Sequence, residues 1–120
     1  MKTAIVILSD PKAGSEEALG RIFNALASAY DYKQAGQEVS LYFQGTGTRW
    51  PEALRKENHP GHVLFKVAED KVAGVSSGCA DVFGAQASGF DLIRDNLAPG
   101  TLRLPSLAGL QRQGYQILTF

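Results

Sequence analysis

The chain has one cysteine, one methionine, one tryptophan and two histidines in 120 residues, and neither sign of charge is in excess. Each shortage excludes something. A single cysteine rules out an intrachain disulfide framework and suits a reducing compartment. The two histidines, His59 and His62, flank Pro60 and Gly61, and nothing at metal-ligand spacing supplies a third ligand. They read as a polar loop, and no metal is expected. Twelve basic residues cancel twelve acidic ones, and like charges run no further than a pair such as Glu16-Glu17. That balance removes the electrostatic case for nucleic acid, for an anionic membrane surface and for a disordered charged tail. Long apolar runs are missing too. Ala4-Ile5-Val6-Ile7-Leu8 is too short for a signal peptide or for the roughly 20 residues of a membrane span. A cytoplasmic location is expected. Phosphate fingerprints are also absent. Asp10-Pro11-Lys12-Ala13-Gly14-Ser15 joins a strand to a helix, as an anion-binding loop does, but it has neither the dinucleotide fingerprint nor the Walker A spacing. Glu16 and Glu17 would repel a phosphate there, so no nucleotide or other organic cofactor is expected.

What is present is an apolar fraction of 44%, enough for one domain spanning residues 1–120. The run 4–8 reads as a parallel strand covered on both faces. Ser15 caps a helix over 15–35 whose Leu19, Ile22, Phe23, Leu26 and Tyr30 are spaced to face a sheet, and Gly36 stops it. Residues 37–43 read as a second strand. A short helix follows from Arg49-Trp50-Pro51 to about residue 57. Another covers 62–69, with Val63, Leu64 and Val67 as its apolar residues. Strands are expected at 72–76, 90–93 and 115–120, and helices at 78–85 and 105–113. Strand alternating with helix predicts an α/β fold: a single open, mainly parallel sheet of about five strands with helices on both faces, in the flavodoxin-like order 2-1-3-4-5.

Such sheets bind ligands beyond the carboxyl ends of their strands. With the first strand between the second and third, Ser9-Asp10, Gln44 to Trp50 and Ser76 to Cys79 converge on one rim. Cys79 stands out there. It follows a buried strand and a glycine, at the start of a helix, where N–H groups and the positive dipole end favour thiolate over thiol. It is the candidate nucleophile or sulfur carrier, although a free cysteine is also a common small apolar filler. Asp81, in the same first turn, would act against the thiolate. Ser77, Gly78, Arg49 and Trp50 are expected to line the substrate site. Arg49 would bind an anionic sulfur species through charge-assisted hydrogen bonds, or else be a solvated charge. Trp50 would roof the pocket or form a subunit contact, or else anchor the core. Asp10, before proline, would cap a turn.

Taken together, the opening strand 3–9, the helix 15–35, the strand 38–43, the stretch 72–80 ending past the cysteine, and Gly114-Tyr115-Gln116-Ile117-Leu118-Thr119-Phe120 resemble the DsrE/DsrF-like family of small sulfur-relay proteins, which includes TusD-type subunits. The resemblance covers almost the whole chain. It implies an open parallel sheet, assembly into a homo-oligomer, and a cysteine, Cys79, that takes up sulfur as a persulfide from one protein and hands it to another. Only Cys79 matches a functional position of the family. The alternative is a non-catalytic oligomeric small-ligand-binding or scaffold subunit in which Cys79 packs. A flavin or nucleotide binder is the third reading, and the missing phosphate fingerprint argues against it.

Overall fold

The first apolar run becomes strand β1 (Lys2–Ile7), in which Thr3 through Ile7 are buried, as a central parallel strand must be. The computed structural model describes residues 1–100 and 103–120. Strands β2 (Glu38–Phe43), β3 (Val72–Ser76) and β5 (Tyr115–Thr119) form where β-branched and aromatic residues cluster. The strand expected at 90–93 is reduced to β4 (Leu92–Ile93). All strand pairings within the sheet are parallel, so the expected single open α/β sheet of five strands is present.

Helix α1 (Glu16–Gln34) starts where Ser15 Oγ accepts the Ala18 N–H, with Glu16 and Glu17 complementing the dipole in its first turn. Its buried stripe is Ala18, Ile22, Ala25, Leu26 and Ala29. Three alanines let the helix lie close on the sheet. Leu19, Phe23 and Tyr30 run along the flank of that stripe, and Tyr30, expected to face the sheet, is 40% exposed. Helix α2 (Trp50–Leu54) is shorter than expected. In α3 (His62–Ala68) the buried pair is Phe65 and Ala68, while Val63 and Val67 face out and Leu64 is half-buried. A seven-residue helix offers two stripes at i, i+3, i+4 spacing, and the one carrying the phenyl ring is buried because the ring removes more apolar area from water. Helices α4 (Ser77–Phe83) and α5 (Leu107–Arg112) complete the set; α5 begins after its cap Ser106 rather than at Pro105. Among the described residues no helix is long and apolar enough to cross a membrane.

The strand order is 4-3-2-1-5, not the expected 2-1-3-4-5. Right-handed crossovers on one face of a sheet advance in one direction, and a reversal requires a change of face. Helices α1, α2 and α3 all bury into one cluster with Ile5, Ile7, Leu41 and Phe43, so β1, β2 and β3 follow each other outward. Leu110 of α5 packs on the opposite face with Ala4, Val6 and Tyr42. Helices thus cover both faces, and the change of face carries the chain back past β1 to β5. The reversal therefore lies between β1 and β5, two strands away from the end of β3.

Candidate functional site around Cys79 and Arg49

The carboxyl end of β3 turns directly into α4. Ser76, fully buried, holds the turn: its Oγ accepts the Cys79 N–H at 3.3 Å and donates to the Arg103 carbonyl at 3.0 Å. The same carbonyl accepts the Gly78 N–H at 2.9 Å. Two of the N–H groups expected to serve an anion at this helix start are therefore already bonded within the protein. Gly78 in particular does not offer its N–H to a substrate. The Cys79 thiol is free of disulfide and half-buried.

Ser77 and Gly78 line a cavity of about 200 Å³ together with Asp81, Arg94 and Arg103. Two guanidinium groups against one carboxylate make its lining net cationic. Neither arginine was singled out from the sequence. They come from the turn-rich stretch between the third strand and the last helix, where the only available signal was two arginines within ten residues. Nothing in their spacing tied them to Cys79.

Arg49 is partly buried and engaged on two sides. Its Nη1 pairs with Asp10 Oδ2 at 2.9 Å, its Nε donates to the Phe83 carbonyl at 3.4 Å, and the guanidinium lies 5.5 Å from the centre of the Phe83 ring. Arg49 thus ties the loop after β1 to the end of α4. Phe83 is four residues beyond Cys79 and so shares its helix face, with about 6 Å between Cβ atoms. The expected convergence of Asp10, Arg49 and the cysteine helix is realised to that extent, with β2 rather than β1 in the middle.

Trp50 is 2% exposed and belongs to the core, its Nε1 donating to the Ser9 carbonyl at 2.8 Å. It anchors the loops from below. Gly47 explains how the 3-10 turn Gly45–Arg49 comes so near β1. A Cβ at this position would stand 2.1 Å from the Ile7 carbonyl oxygen, so only glycine fits.

Both histidines do structural work. His59 Nδ1 accepts the Gly61 N–H at 3.0 Å, and its ring meets Trp50 edge-on. Partial burial and the nearby Lys56 ammonium hold its pKa below the ordinary value. His62 Nδ1 lies 2.7 Å from the Leu54 carbonyl. Among the described residues no cluster of His, Cys, Asp or Glu is arranged to hold a metal ion. A further cavity of about 360 Å³ opens at the reversal of strand order, over Leu8, Ser9, Asp10, the start of α1 and Phe120.

Comparison with curated proteins and with solved structures finds no match to the chain. A family model does match, over residues 1–120: the chain belongs to the DsrE/DsrF-like family, which is generally associated with sulfur relay.

Proposed function

We propose that this protein is a cytoplasmic sulfur carrier, a sulfurtransferase subunit that accepts sulfur as a persulfide on Cys79 and passes it to a partner protein. The observation that carries the reading is the position of the chain's one thiol: half-buried, at the carboxyl edge of the sheet, in the first turn of α4, within a family match that spans the whole chain. The cavity beside it supports the reading, because Arg94 and Arg103 offer charge-assisted hydrogen bonds to an anionic sulfur species. In the first step the Cys79 thiolate attacks the outer sulfur of the donor persulfide. The bond between the donor's two sulfurs breaks, and the donor leaves as a thiolate with the electron pair. An acceptor thiolate then attacks the outer sulfur held on Cys79 and regenerates the Cys79 thiolate. The sequence needs no second thiol in the chain and no cofactor.

A second reading, an oligomeric small-ligand-binding or scaffold subunit, draws on two observations. Ser76 and Arg103 already satisfy N–H groups beside Cys79, and Cys79 itself lines neither of the two larger cavities. Assembly into a homo-oligomer belongs to both readings. Intact mass after incubation with a persulfide donor separates them. The carrier gains one sulfur atom that alkylation traps on Cys79, and Cys79→Ser gains none. A folded wild-type protein whose thiol takes up neither sulfur nor alkylating agent would sink the carrier reading.

A further inference from the structure

A cavity of about 400 Å³ lies between the 3-10 turn Pro11–Ala13, α2 and the end of α4. Its volume falls in the range of small-molecule sites. Phe83 and Ala53 give it an apolar wall, and Lys12, Arg49, Glu52 and Lys56 surround it with charge. Arg49 is already neutralised by Asp10. Among the described residues Lys12, Lys56 and Glu52 form no ion pair. The cavity therefore presents two uncompensated cations and one uncompensated carboxylate. The complementary molecule bears two carboxylates and one ammonium group. Phe83 in its wall shares a face of α4 with Cys79, one helical turn away.

We propose that this cavity holds the body of a small zwitterionic persulfide with two carboxylates and one ammonium group, of which glutathione persulfide is an example. This assignment rests on the carrier reading of Cys79 and names its donor class. Lys12 and Lys56 pair with the carboxylates, Glu52 with the ammonium, and the apolar wall covers the chain between them. The Cys79 thiolate attacks the outer sulfur of the bound R–S–SH. The new bond joins Cys79 Sγ to that sulfur, which keeps its hydrogen, and R–S⁻ departs with the electron pair of the broken bond. A free amino-acid persulfide, with one carboxylate and one ammonium, fills two of the three charged positions and leaves one lysine unpaired.

Two measurements on the full chain test this. S-methylglutathione carries the charges but no transferable sulfur. It is titrated by NMR into the wild type, Cys79→Ser and the double variant Lys12→Glu/Lys56→Glu. Saturable binding is expected for the first two, weakened at least about tenfold in the double variant. Persulfidation of Cys79 is then timed with glutathione persulfide and with an uncharged alkyl persulfide. The ratio of the first rate to the second is expected to fall about tenfold in the double variant. Both lysines are exposed, so folding is not at stake; Lys12→Gln/Lys56→Gln repeats the test without reversed charge. Absence of S-methylglutathione binding, or an unchanged rate ratio, overturns the subsite while leaving Cys79 as a carrier. Binding that behaves as expected, with no sulfur transfer from either donor, overturns the carrier reading and the donor assignment with it.

Discussion

His59 shows how one side chain can make the whole fold sensitive to acid. Its ring is partly withdrawn from water and faces the Lys56 ammonium, so its folded pKa lies below the ordinary 6.5. Above 6.5 the ring is neutral in folded and unfolded chains alike. Below it the unfolded chain binds the proton more readily, and stability falls until the folded pKa is passed. Protonation also puts a hydrogen on the Nδ1 that accepts the Gly61 N–H. Asp70, whose pKa is lowered chiefly by the hydrogen bond from Lys33, adds a second loss further down, as pH falls below its ordinary 3.8. Melting curves of wild type and His59→Asn from pH 7.5 to 5.5 are therefore expected to converge toward acid, and parallel curves would refute the assignment. At Gly47 the constraint is steric. Its missing Cβ leaves room for the Ile7 carbonyl, itself bonded to the Gln44 N–H, and two backbone segments cannot give way cheaply. Gly47→Ala is expected to cost about 3 kcal/mol in denaturant unfolding, and a cost below about 1 kcal/mol would show that the loop can shift. In the sequence this glycine was one of several in a loop-like stretch, and its partner carbonyl lies 40 residues earlier.

Element by element, what was legible depended on length. A 19-residue helix with a capping serine and two acidic residues in its first turn was evident from the sequence, and so was a strand of consecutive apolar residues. The two-residue β4 and the seven-residue α3 carry too few positions for a period to choose one face. At α4 the strand–glycine–helix pattern located Cys79, but Arg94 and Arg103, which meet its start, come from a stretch with no periodic signal. Ser76 links the two. Its hydroxyl caps α4 at Cys79 and reaches the Arg103 carbonyl, all in a fully buried position. Ser76→Ala removes both bonds and leaves the Cys79 N–H without its acceptor. A loss of about 1–2 kcal/mol is expected, with faster alkylation of Cys79 as the first turn frays. Denaturant midpoints and the alkylation rate measure the two effects. A destabilised variant with an unaltered alkylation rate would mean that the cap does not govern the thiol's access.

For the whole molecule, the alternation of strands and helices determined the class of fold but left its strand order open. Amphipathic helices show which side is apolar, and do not show which face of the sheet receives them. The packing of α1 and α3 on one face and α5 on the other decides the order, and it leaves β4 and β5 as the sheet's edges. The two edges differ. β4 pairs through two residues and is followed at once by Arg94 and Asp95, which blunt it. β5 runs five residues, Tyr115-Gln116-Ile117-Leu118-Thr119, without charge, proline or bulge. An edge of that length and composition is a template for another strand. A second copy of the chain can supply it across a twofold axis, β5 against β5, making one continuous sheet of the two copies. Light scattering on the eluting protein is expected to give twice the monomer mass. Thr119→Lys, which adds a charge at an exposed position of this edge, is expected to shift the population toward monomer without lowering the melting temperature of the separated chain. A wild-type protein that stays monomeric at high micromolar concentration would exclude this pairing. A dimer that Thr119→Lys leaves intact would move the interface away from β5, to a surface such as the exposed Val63 and Val67 of α3.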